Sequence, residues 1–123
     1  MHSDTNTTIE MLKRALREFR DERDWVQFHD PKNLAEAISI EASELLELFL
    51  WKEAKEAVRA VKSDPRLRIA LGDELADVIC FSLSLANASD IDVTQIVMNK
   101  IEKNKLKYPV SNAKGTSAKY DKL

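Results

Sequence analysis

Residues 37–52 read AISIEASELLELFLWK, and the fold turns on how the acids in that stretch are understood. Positions three, four and seven apart share one face of a helix. On that rule Glu41 is surrounded by Leu34, Ala37, Ile38, Leu45 and Leu48, so it sits inside the apolar stripe, with Glu44 at its edge. The helix carrying them is expected from about Leu34 to Trp51. Residues 66–89, RLRIALGDELADVICFSLSLANAS, repeat the design. There Glu74 has Leu67, Ala70, Leu71, Val78 and Phe81 as face neighbours, and Asp77 lies at the edge. Two helices thus each present an acid-x-x-acid pair from an apolar face, with helical period and no strand alternation.

Outward from these two helices the pattern stays helical. TTIEMLKRALREFRDER, residues 7–23, puts Ile9, Leu12, Leu16 and Phe19 on one stripe behind a threonine cap. DWVQFHDPKN, residues 24–33, breaks the period and reads as an aromatic-rich loop. KEAKEAVRAVKSD, residues 52–64, is a short charged helix, and Pro65 suits the first turn of the helix that follows. A last helix, VTQIVMNKIEKNKLK at 93–107, stops before Pro109. The expected architecture is all-α: a bundle of four main helices plus one short helix, a domain over residues 1–110, and a disordered or extended tail over 111–123.

Composition narrows the function. A chain of 123 residues is one small domain, and its two glycines and three prolines favour helix. A net charge of −2 lacks the electrostatic footprint of a protein that binds nucleic-acid polymers. The single cysteine, Cys80, excludes an intrachain disulfide and fits a reducing compartment. No apolar run reaches membrane-spanning length, and the N-terminus has no apolar leader segment. The expectation is a soluble cytoplasmic protein without a membrane partner, and its modest core suggests self-association.

The acids decide the chemistry. Burying one ion costs roughly several kcal/mol even after relaxation. Four unpaired ones would consume much of the ~5–15 kcal/mol that holds a domain together. Neither helix offers Lys or Arg on the same face near them, apart from Lys52 at the far end. A cluster of oxygen donors without His or Cys favours a hard cation, Mg²⁺ or Mn²⁺. A di-iron carboxylate bundle would need Glu-x-x-His pairs, whereas the histidines here are His2 and His29. Mg²⁺ held by few carboxylates generally binds substrate phosphates. Trp25, Phe28 and Trp51 flank the first acid-bearing helix, and a base stacks on such rings. On the last helix Asn104 follows Val97 and Ile101 on the apolar stripe, an amide in need of partners, and Lys100 borders it within reach of a phosphate. Glu47, Glu53, Glu56, Lys103, Lys105 and Lys107 read as solvated faces, and Cys80 as a small core residue.

Glu41-x-x-Glu44 followed thirty residues later by Glu74-x-x-Asp77 resembles the metal-binding pattern of the MazG-like nucleotide pyrophosphohydrolases. FRDERDWVQFHDPKNLA, ELLELFLWK, DELADVICF, NKIEKNKLKYPV and AKGTSAKY resemble the dCTP pyrophosphatase branch of that superfamily in order and spacing. The resemblance implies that Glu41, Glu44, Glu74 and Asp77 bind Mg²⁺, and that Trp25 and Trp51 wall a base pocket. It also implies that Asn104 helps hold the nucleoside and Lys100 meets the phosphates. The implied reaction is hydrolysis of a deoxynucleoside triphosphate, dCTP or a modified pyrimidine nucleotide, to the monophosphate and pyrophosphate. The implied assembly is a homodimer or homotetramer. Glu41 or Glu44 would take the proton from the attacking water. Two departures bear on the base: Leu16 stands where the animal dCTP enzymes have a histidine, and Phe81 where they have a tyrosine. Two other classes remain open, a nucleotide-binding regulatory module with little turnover and a structural helical assembly protein.

Overall fold

Caps written into the sequence set the helix starts. The structure, a computed structural model, describes residues 1–122, which carry six α-helices and no strand. The first helix, α1, runs Ile9–Glu22, with the Thr8 side chain accepting from the Met11 N–H at 3.1 Å. Asp24 has a φ of 54°, a left-handed conformation that Asp tolerates, and the chain turns there into a short 3₁₀ stretch, Val26–Phe28. Asp30 accepts from the Asn33 N–H at 2.9 Å and Pro31 opens α2, Pro31–Glu47. This helix begins three residues before the expected Leu34 and ends four before Trp51. The end is early because the last bonds tighten to three-residue spacing, Phe49 N–H to Leu46 O at 2.9 Å and Lys52 N–H to Phe49 O at 3.1 Å.

The third helix, α3, covers Ala54–Ser63, and α4 covers Pro65–Ala88 behind an Asp64 cap that accepts from the Arg66 N–H at 3.0 Å. α5 spans Val93–Lys107, as its periodicity requires, capped by Asp92. The chain forms two compact units, Met1–Asp90 and a second beginning at Ile91.

In the first unit α4 is the central element, and α2, α1 and α3 all pack on it. Leu34 of α2 and Leu83 and Ala86 of α4 are buried. The neighbours expected around Glu41 and Glu74 are half-buried or better, so the apolar stripes do face inward. A polar clamp fixes α1 to α4. The Arg17 Nη1 donates to Asn87 Oδ1 at 2.9 Å, and Asn87 Nδ2 donates to the Lys13 carbonyl at 3.0 Å. Arg17 Nη2 is held at 2.7 Å from Glu10.

In the second unit the α5 stripe is open: Val97 and Ile101 are 48% and 43% exposed, and Asn104 is exposed beside them. The tail differs from the disordered or extended segment expected of its composition. A four-residue helix, α6, covers Val110–Ala113, and a 3₁₀ turn covers Tyr120–Lys122. Tyr120 meets Tyr108 edge to face at 6.2 Å, with Lys107 Nζ 5.0 Å from its ring centre, contacts that periodicity does not reveal.

Candidate metal centre and adjoining cavity

The packing of α2 on α4 brings the acid pairs together. One carboxylate oxygen from each of Glu41, Glu44 and Glu74 lies within 4.8 Å of the others. Asp77 falls outside that trio but is close enough for its charge to act on both Glu41 and Glu74. No Lys, Arg or His forms an ion pair with any of the four among the described residues. Glu41 Oε2 and Glu74 Oε2 are buried without a hydrogen-bond partner.

The electrostatics follow from that crowding. A hydrogen bond with Glu44, burial, and the negative charges of Glu44, Asp77 and Glu74 push the Glu41 carboxyl up to about 7. Burial first, and then Glu44, raises Glu74 as well. Orphaned oxygens on acids that repel one another fit a divalent cation, whose charge and oxygen preference answer both defects. Glu41, Glu44 and Glu74 are the residues that would hold it, with Asp77 alongside.

A cavity of about 450 Å³ adjoins the acids. Leu16 and Phe19 of α1 wall it on one side, and Asp77, Cys80, Phe81 and Ser84 of α4 on the other. Trp25 and His29, from the loop before α2, complete the lining. Trp25 packs edge to face on Phe19 at 5.8 Å and lies tilted against His29 at 6.5 Å. Leu16 and Phe81, the two departures from the dCTP enzymes, both line this space and leave it apolar there. Cys80 is a half-buried free thiol whose pKa burial and then Asp77 push up, an unreactive lining group.

The other expected site residues lie elsewhere. Trp51 is 99% exposed with a φ of 67°, and is not among the residues lining this cavity. Lys100 and Asn104 are exposed on α5, in the second unit. Sequence reasoning missed His29 and Ser84 as lining groups. The first stood in the aromatic loop as a signal; the second is seven residues from Asp77, hence on its face.

Comparison with known proteins identifies the family. The family model described as the MazG-like family matches residues 37–123. The chain is 41% identical over 116 residues to dCTP pyrophosphatase 1 of Bos taurus, covering 94% of this chain and 68% of that protein. The human protein of the same name gives 41% identity over 116 residues with the same coverage. A crystal structure of a pyrophosphatase from Archaeoglobus fulgidus superposes with a TM-score of 0.77 at 40% identity, covering 89% of this chain and 98% of the other.

The raised Glu41 carboxyl would link metal binding to pH. Below about pH 7 a cation held here would have to displace the Glu41 proton, so its affinity would rise with pH and level off once the acid ionises. Mn²⁺ titration calorimetry should show the dissociation constant falling close to tenfold per pH unit below about 7 and flattening above about 8. Metal-free protein should lose stability as pH rises from 4.5 to about 7, because the unfolded chain ionises Glu41 first. An affinity independent of pH across that window would contradict the site.

Proposed function

Because the chain belongs to the MazG-like family, we propose that it hydrolyses a pyrimidine deoxynucleoside triphosphate, dCTP or a modified relative, to the monophosphate and pyrophosphate. The observation that carries this reading is the trio Glu41, Glu44 and Glu74, with two buried oxygens lacking partners, beside a cavity large enough for a ligand. Mg²⁺ is the cation proposed, with Mn²⁺ as a substitute. When bound, it supplies the positive charge that offsets the phosphate oxygens and the developing pyrophosphate.

The chain's own residues do the remaining work. Glu41 or Glu44 accepts the proton of the attacking water, and a carboxyl poised near 7 suits that task. Trp25 presents its ring to the cavity, where a base stacks. Trp51 is assigned the second base-stacking face, supported by its full exposure and left-handed backbone, a costly presentation for a bulky side chain. Lys100 and Asn104 keep the phosphate- and nucleoside-binding roles; in support, their side chains are exposed and unpartnered among the described residues.

Self-association as a homodimer or homotetramer belongs to the same proposal. Its support is the apolar surface of the first unit, where Ile40, Leu46, Val58 and Ile69 are 58%, 60%, 59% and 68% exposed. No described helix is long and apolar enough to cross a membrane. The free thiol of Cys80 supports a cytoplasmic location.

Product analysis with Mg²⁺ across dCTP, 5-methyl-dCTP, dTTP, dUTP, dATP, dGTP and CTP should give monophosphate plus pyrophosphate from pyrimidine deoxynucleotides. Glu41→Gln should lower the rate by about 100-fold or more. No turnover from folded, metal-loaded protein would leave a nucleotide-binding module instead. Sedimentation equilibrium should return a dimer or tetramer mass, and Ile69→Glu should dissociate it. A monomer at assay concentrations would refute the assembly.

A further inference from the structure

The floor of the cavity is one stripe of α4. Asp77, Cys80, Phe81 and Ser84 all line it, and their spacings of three, four and seven put them on a single helical face. Seven residues of α-helix rise roughly 10 Å. The stripe therefore runs from the acidic end to Ser84 over the scale that separates a nucleotide's α-phosphate from the far edge of its base.

Among the described residues Ser84 is the one buried polar residue, 8% exposed. Helical serines ordinarily settle their hydroxyl on the carbonyl four residues back. Ser43, Ser63 and Ser82 do so here, at 3.0, 2.8 and 2.7 Å. Ser84 does not: its hydroxyl has no hydrogen-bond partner among the described residues. Its residue is buried and lines the cavity, so a hydroxyl without a protein partner there is open to meet a ligand.

His29 brings a buried orphan to the same wall. Its Nδ1 is buried without a partner, and the residue lines the same cavity from the loop before α2. Burial, and then the charge of Arg20, hold its pKa below the usual histidine value, which leaves the ring neutral at pH 7 with one donor and one acceptor nitrogen. Leu16, Phe19 and Phe81 offer no hydrogen-bonding group, and Cys80 only a weak one.

We propose that Ser84, assisted by His29, reads the polar edge of the base and is a specificity-determining residue of this cavity. The inference rests on the triphosphate reading above and narrows its substrate class. A hydroxyl both donates and accepts, so Ser84 pairs with the 4-amino group of cytosine or the 4-carbonyl of uracil and thymine. It registers that a polar group stands at that position and not which one. Cytosine, uracil and thymine deoxynucleotides are then substrates of similar efficiency, while a pyrimidine with no 4-substituent is a poor one.

The test compares wild-type protein and Ser84→Ala on dCTP and on the deoxynucleoside triphosphate of 2-pyrimidinone, the same base without its 4-amino group. Alanine is the better helix former, so α4 is retained. Ser84→Ala should lower kcat/KM for dCTP about tenfold, mainly through KM, and change that for the pyrimidinone nucleotide less than about twofold. Wild type should handle dCTP and dUTP within about fivefold of each other. An equal loss on both substrates makes Ser84 a packing residue, and no loss on dCTP removes it from base reading; either overturns the inference while wild-type turnover keeps the reaction. Absence of wild-type turnover overturns the triphosphate reading, and this inference with it.

Discussion

Mutual repulsion among carboxylates at the seam of α2 and α4 is the constraint around which the first unit is arranged. Glu41, Glu44 and Glu74 converge within 4.8 Å, with Asp77 near enough to add its charge. Such a seam is unfavourable by itself, since burying ions costs more than their burial returns. The surrounding packing holds it closed: Leu34, Leu83 and Ala86 are buried on the same two helices. The clamp from Arg17 and Asn87 to the Lys13 carbonyl then fixes α1 against α4, and α1 carries Leu16 and Phe19 to the cavity. Fold and site therefore share one support, because the helix that bears Glu74 and Asp77 is also the floor of the cavity.

What the sequence disclosed, it disclosed through spacing within single helices. A threonine cap, which the fold assigns to Thr8, Pro65 as a first-turn residue, the span 93–107, and the inward-facing acids are all local properties, and each has its counterpart in the fold. Periodicity is silent on what lies opposite a helix. It placed Val97 and Ile101 on an apolar stripe, yet both stand about half exposed. It carried α2 on to Trp51, because an apolar run does not reveal that the backbone turns left-handed there. The Arg17–Asn87 pair spans seventy residues of sequence and leaves no local trace. Ser84 looked like any serine in a helix until its neighbours were known.

Family membership and local chemistry support one another without being the same argument. The relatives named dCTP pyrophosphatase 1 carry the reaction class. The orphaned oxygens of Glu41 and Glu74 supply an independent physical reason for a cation at that place. The apolar lining at Leu16 and Phe81 and the unpaired groups on Ser84 and His29 belong to this chain, and they are where its choice of base would be made.

The central claim is that the α2–α4 acids are a metal site, and anomalous scattering from a crystal of the protein grown with Mn²⁺ tests it most directly. The account predicts a manganese peak within bonding distance of Glu41, Glu44 and Glu74, absent in Glu74→Gln. Ordered acids with no peak among them, or with a lysine or arginine of a neighbouring subunit in its place, would contradict it.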